Sequence, residues 1–133
     1  IRNPEVRSKL RHGMLGFVIK ALKEFLTRKK SYNFAIIADD TFTGGIGLRN
    51  PNKKGTIYEL GYFVTRGYWN KGIATRAIRE ILKFGFNKLK LKKILADNDI
   101  DNPASGRVLK KTGFKLIKVD KKKNKMFWEK KRK

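Results

Sequence analysis

Tyr68-Trp69-Asn70-Lys71-Gly72-Ile73-Ala74-Thr75 stands between an apolar run, Ile57 to Val64, and a segment in which Ala74, Ala77, Ile78, Ile81, Leu82 and Gly85 recur at helical spacing. The run is apolar on both faces, which marks a central strand. The spacing after it marks an amphipathic helix with Arg76, Arg79, Glu80 and Lys83 facing water. The first backbone N–H groups of such a helix lack intrahelical partners, and the macrodipole adds partial positive charge there. Small residues at Gly72 and Ala74 let a phosphate approach that backbone closely, and Lys71 adds a cation. The same residues also make a plain strand–helix turn with glycine used for packing.

Upstream, Asn3-Pro4-Glu5 reads as a helix start. Leu15, Val18, Ile19, Leu22, Phe25 and Leu26 predict a second helix over 15–29. Phe34 to Ala38 and Phe42 to Leu48 read as hairpin strands around Asp39-Asp40, and Asn50-Pro51-Asn52 with Gly55 as a loop. Downstream, Lys93 to Ala96 is a short strand. Asn102-Pro103 opens a helix with Val108 and Leu109 on its apolar side, and Gly113 ends it. Lys115 to Val119 and Lys125 to Glu129 form a last hairpin. Three consecutive strands and then a strand–helix–strand crossover give an α/β (α+β) fold, a mixed sheet of about six strands flanked by helices. One domain is expected over 1–133, with 130–133 a solvated charged tail. The aromatics Trp69, Phe84, Phe86, Phe114, Phe127 and Trp128 fall mostly at core-like periods and read as packing.

The 133 residues are enough for one real core, and a hydrophobic content of 40% argues against disorder. With no cysteine, a disulfide scaffold and a thiolate nucleophile are excluded. A single histidine, His12, builds neither a His-ligated metal site nor a conventional triad, so no metal is expected. No apolar run approaches the roughly 18 residues of a membrane span, so a soluble cytoplasmic protein is expected, with no membrane partner. The net charge of +23 favours polyanions such as RNA and small anions such as a nucleotide cofactor, and repels polycations. A general bias towards lysine explains the same number without a binding face.

Tyr58-Glu59-Leu60-Gly61-Tyr62-Phe63-Val64, the loop Tyr68 to Thr75, and Asn102-Pro103-Ala104-Ser105 running on to Gly113-Phe114 resemble, in this order and spacing, the Gcn5-related N-acetyltransferase superfamily. The likeness is to its branch that acetylates ribosomal-protein N-termini. Trp69, Gly72 and Ala74 take the positions of the family's Gln/Arg-x-x-Gly-x-Gly/Ala pyrophosphate motif. Asn70 replaces a glycine of the branch's Trp-Gly-Lys-Gly. The family's usual first strand has no evident counterpart.

The resemblance implies a three-layer fold and acetyl-CoA as co-substrate, lying where two parallel strands splay apart. The backbone of Phe63 and Val64 would hold the pantetheine arm, and one of their N–H groups would polarise the thioester carbonyl. Asn70, Lys71, Gly72, Ile73, Ala74 and Thr75 would hold the pyrophosphate, with Trp69 at the head of the loop. Asn102 and Ser105 would meet the cofactor near the thioester.

The acceptor is then a primary amine, expected to be a protein N-terminus such as that of a ribosomal protein, on a monomer or homodimer. Glu59 is the candidate base, although regular strand parity puts it on one face with Gly61 and Phe63. An ion pair with a neighbouring cation is its bland alternative. Ser105 is the candidate near the sulfur. The tyrosine acid that many relatives carry in the second helix is replaced by Leu109, and Tyr58, Tyr62 or Ser105 are the substitutes. The competing functions are an RNA- or ribosome-binding module on an inactive acetyltransferase frame, kept open by Asn70 and Leu109, and an enzyme for small-molecule amines.

Overall fold

The structure, a computed structural model, describes residues 17–21 (as backbone), 31–50 and 55–133. Its elements are β1 (Phe17–Ala21), β2 (Ser31–Ala38), β3 (Thr41–Arg49), β4 (Ile57–Val64), α1 (Ile73–Lys83), β5 (Lys93–Asp99), α2 (Pro103–Lys111), β6 (Lys115–Asp120) and β7 (Lys125–Lys131). They build a seven-stranded sheet in the order β1-β2-β3-β4-β5-β7-β6. Every neighbouring pair is antiparallel except β4 and β5, which are parallel and joined through α1.

Local chemistry explains most of the boundaries. Asp39 and Asp40 both adopt positive φ, 55° and 66°, which the two-residue turn between β2 and β3 requires and which aspartate tolerates better than most residues. After α1 the helix widens into a π-helical turn, Phe84–Lys88, closed by the Leu89 N–H bonding to the Phe84 carbonyl at 3.1 Å. Gly85 sits on that turn, where an added Cβ would lie 3.0 to 3.2 Å from methyls of Ile94, Leu48 and Leu91. The turn thus presses onto the sheet more closely than a larger residue would permit. Asn102 caps α2, with its side-chain oxygen accepting from the Ser105 N–H, and Pro103 follows at the first helical position.

One face of the sheet carries the core. Ile46 and Leu48 of β3, Tyr58 and Leu60 of β4, Ile94 and Ala96 of β5 and Trp128 of β7 join Ile73, Ala77, Ile78 and Ile81 of α1 and Leu109 of α2 in one buried cluster. Asn98 fixes the end of β5 within this packing. Its side chain accepts from the Trp128 indole at 2.7 Å and donates to the carbonyls of Asp99 and Asn102.

Several sequence expectations need correction. Phe17–Ala21 is a strand, paired antiparallel with Phe34–Ala38, where apolar spacing predicts helix over 15–29. Phe17-Val18-Ile19 is β-branched and aromatic, and an open edge of β2 decides between two periods that a short apolar run satisfies equally. This strand, the seventh, occupies a sheet position the sequence reading leaves empty. The helix start at Asn3 and residues 22–29 lie outside the described residues. Lys130 and Lys131 are no tail: they pair with Ile94 and Lys93 inside β7. The last strand is therefore internal, and β6 is the edge. Ala74 is half-buried, while Ile73 and Thr75 are the buried residues of the first turn of α1. Trp69 is 53% exposed rather than packed in the core, whereas Phe114 and Trp128 are buried as expected.

Ile94, fully buried at the centre of the core, supplies a stability test. Ile94→Ala is expected to cost about 2–5 kcal/mol, read in urea as a lower transition midpoint at unchanged slope.

Candidate active site

The site begins with a parting of strands. β4 pairs with β5 only over Ile57–Glu59 against Lys93–Leu95. Beyond that point β4 stays with β3 as far as Val64, and β5 stays with β7 as far as Asp99. The two parallel strands therefore separate, leaving one edge of each unpaired. The Thr56 carbonyl accepts from Lys92 N–H at 2.8 Å, so even-numbered residues of this strand direct their backbone groups towards β5. The Thr65 N–H donates to the Thr43 carbonyl at 2.8 Å, so odd-numbered residues direct theirs towards β3. By this alternation the backbone groups of Tyr62 and Val64 face the gap, and those of Phe63 face β3.

The gap adjoins a cleft of ≈ 910 Å³, lined among others by Arg49, Glu59, Gly61, Phe63, Asp97 and Phe127. Among the described residues, a Cβ built on Gly61 would meet nothing within 4 Å, so this stretch of β4 is bare backbone. The sequence reading passed over Gly61, although a glycine inside a central strand signals close approach by a ligand or another chain.

The loop after β4 is tied to the strand end. The Trp69 indole donates to the Val64 carbonyl at 2.6 Å, and the Arg66 guanidinium lies 5.4 Å from the centre of the indole ring. With its carbonyl taken, Val64 presents only its N–H to the gap. Asn70 adopts φ 62° and Gly72 φ 77°, both left-handed. Asparagine is among the few side chains that enter this region readily, so Asn70 adopts a conformation that glycine takes freely.

Gly72 is the N-cap of α1. No side chain caps the helix, and no acidic residue lies in its first turn. Among the described residues no side chain is bonded to the N–H groups of Ile73, Ala74 and Thr75, and a Cβ on Gly72 would meet nothing within 4 Å. Lys71 is exposed beside them. An open, left-handed, uncapped helix start with a neighbouring cation fits a pyrophosphate.

Glu59 lies at the last paired rung of β4, at the apex of the gap, on the face of Gly61 and Phe63 as regular parity requires. It is half-exposed rather than embedded among apolar residues, and Arg49 bonds it at 3.2 Å. This pair is worth about 0–1 kcal/mol, so it does not commit the carboxylate to a structural role. Asp97 lines the same cleft as Glu59. Asp97 and Asp99 share Lys125, whose ammonium they hold above the ordinary lysine value, mainly through the bond it donates to Asp99.

On the opposite face, the Tyr62 hydroxyl meets the Ser105 hydroxyl at 2.6 Å. Burial pushes the Tyr62 hydroxyl above the usual tyrosine value, and the bond to Ser105 offsets part of that rise. Leu109 is fully buried, so its place on α2 is spent on the core. Among the described residues no group of three or more His, Cys, Asp or Glu could hold a metal ion, and no helix is long and apolar enough to cross a membrane.

Comparison with known proteins accords with this geometry. Residues 4–115 match the family model described as "Acetyltransferase (GNAT) domain". "Uncharacterized N-acetyltransferase YoaA" of Bacillus subtilis is 31% identical over 99 residues, covering 73% of this chain and 56% of that protein. "Putative ribosomal N-acetyltransferase YdaF" of the same species is 28% identical over 79 residues, covering 59% of this chain and 43% of its own length. The chain thus spans about half the length of the curated relatives it matches.

Among solved structures, a GNAT-family acetyltransferase from Bacillus anthracis superimposes with a TM-score of 0.68 at 28% identity, covering 74% of this chain and 65% of its own. The Campylobacter jejuni N-acetyltransferase PseH, solved in complex with acetyl coenzyme A, shares the fold with a TM-score of 0.69 at 20% identity, covering 84% of this chain and 74% of its own. With the strand gap, the uncapped helix start and a family match over most of its length, this chain belongs to the GNAT acetyltransferase domain family.

Proposed function

We propose that this chain carries an acetyl group from acetyl-CoA to a primary amine, and that the acceptor is the N-terminal α-amine of a protein. The observation that carries the reading is the parting of β4 from β5 beside the uncapped start of α1. An unpaired strand edge offers a pantetheine arm the hydrogen bonds of an added strand. The loop Asn70 to Gly72, left-handed at both ends, and the N–H groups of Ile73, Ala74 and Thr75 offer its pyrophosphate a preformed site. Trp69 holds that loop to β4 from outside. Asn102 serves this site by capping α2 and so placing Ser105.

Of the two residues expected at the thioester, Val64 provides the donor, since its N–H faces the gap and that of Phe63 does not. One well-aimed donor of this kind is worth about 3 kcal/mol to the developing oxyanion. Glu59 is the base, acting through water from the open face. The amine must shed a proton to attack, and an α-amine with a pKa near ~8 needs less help than a lysine near ~10.4. A half-exposed carboxylate suits the easier task. A net charge of +23 favours contact with an RNA-rich particle over free polyamines, and the likeness to YdaF points the same way.

Four outcomes test this. Isothermal titration of acetyl-CoA is expected to show micromolar binding by the wild type. Gly72→Asp should bind at least about tenfold more weakly than the near-isosteric Gly72→Asn, because only the former sets a carboxylate against the pyrophosphate. Asn70→Val should cost about 1–2 kcal/mol of stability in denaturant and weaken binding, while Asn70→Gly leaves both nearly unchanged. Mass spectrometry of a peptide bearing a free N-terminus and one lysine is expected to place the acetyl group on the α-amine. Transfer only to the lysine, or only to spermidine, would redirect the acceptor assignment. A folded wild type that binds no acetyl-CoA would overturn the reading as a whole.

A further inference from the structure

The short bond between Tyr62 and Ser105 joins residues 43 apart in the chain, one on β4 beyond its last rung with β5 and the other in the first turn of α2. At 2.6 Å it lies at the strong end of O–H···O bonds. Either hydroxyl can donate in this bond; because a phenol is a far stronger acid than an aliphatic alcohol, we take Tyr62 as the donor and Ser105 as the acceptor. That leaves the serine hydrogen unspent. Here the only partner of Ser105 Oγ among the described residues is Tyr62, while the serine's own N–H is satisfied by Asn102.

Resting on the acetyltransferase reading, we propose that Tyr62 is a positioning residue that accepts no substrate contact itself: it donates to Ser105 Oγ and thereby turns the serine hydroxyl, as donor, onto the sulfur that leaves the thioester. The amine nitrogen forms its bond to the carbonyl carbon, the carbon–sulfur bond breaks, and the electron pair stays on sulfur. Ser105 stabilises that thiolate by a hydrogen bond without giving up its proton. CoA departs as the thiolate and is protonated by solvent. The proton lost by the amine passes through water to Glu59.

The geometry places the two tasks on opposite faces of β4, with Glu59 on the open face and the hydroxyl pair on the helix face. A bond accepted from Tyr62 polarises the serine and strengthens the bond it donates. Because burial favours the neutral phenol, Tyr62 remains a donor. The pair takes over a task for which Leu109, committed to the core, offers no group.

The test combines titration of acetyl-CoA with steady-state release of CoA to the free-N-terminus peptide. Ser105→Ala should lower kcat about 100-fold and Tyr62→Phe about tenfold, each with KM and the acetyl-CoA dissociation constant within about threefold of wild type. Tyr62→Phe/Ser105→Ala should be no slower than Ser105→Ala alone, since the tyrosine acts through the serine. Ser105→Thr, which keeps a hydroxyl, should recover most of the loss. Multiplicative losses in the double variant, or an unchanged kcat in Tyr62→Phe, would overturn the proposal. Should Tyr62→Phe not fold, as judged by its thermal transition, the comparison of Ser105→Ala with Ser105→Thr decides: equal rates overturn it. Failure of the wild type to bind acetyl-CoA is a different result, which removes the acetyltransferase reading and this one with it.

Discussion

Three rungs of parallel pairing hold the two halves of this sheet together, from Ile57 opposite Lys93 to Glu59 opposite Leu95. Everything of functional interest follows from what happens after the third. β4 keeps its antiparallel partner β3 and β5 keeps β7, so neither strand follows the other and a wedge opens between them. Backbone alternation then assigns each residue of β4 a side. The core on one face continues beneath the wedge through Leu60, Ile78 and Ile94, so the gap is a feature of the sheet's edge pairing and not a fault in packing. Parallel strands joined through a helix begin side by side and are free to diverge at their C-terminal ends, where ligands of open α/β sheets collect.

The charge is distributed in a way that the net value hides. The acidic residues near the cleft each lie beside a cation: Glu59 by Arg49, Asp97 and Asp99 by Lys125, and Glu129 by Lys93. Most of the lysines have no carboxylate to meet, since Lys and Arg outnumber Asp and Glu by 34 to 11. Some of that excess guards the sheet's end. β6 is an edge strand with Leu116, Ile117 and Val119 exposed, flanked by Lys115 and Lys118 and interrupted by a register shift between Leu116 and Lys118. Charges and an irregular register are what keep such an edge from recruiting other strands.

Local chemistry made much of this legible before any coordinates. β4 runs from Ile57 to Val64 as its two-faced apolar pattern requires. The start of α1 at Ile73 and the Asn102-Pro103 opening of α2 are where glycine and capping rules put them. The illegible part is what depends on contact between distant segments. Nothing in Phe17-Val18-Ile19 announces that an edge of β2 is waiting for it, and β7 inserts between β5 and β6 for reasons that no window of sequence contains. The bond from Tyr62 to Ser105 is of the same kind. Each residue is visible as a polar group near the cleft, but their meeting depends on how α2 lies against β4. Asn70 is an intermediate case: its identity stands out as a departure from glycine, and only its left-handed φ shows that the loop retains a glycine-like shape.

The narrow seam between β4 and β5 has a thermodynamic corollary. Two sub-sheets, β1–β4 and β5–β7, share few backbone bonds, so their cohesion relies on side chains in the common core and on the crossover through α1. A guest lying along the bare edge of β4 adds main-chain bonds where the protein has fewest, and it does so only in the folded state. Occupancy and folding are thereby linked, and the folded state gains in proportion to the logarithm of guest concentration over its dissociation constant. The opening that admits the ligand is also the place where the ligand acts as mortar.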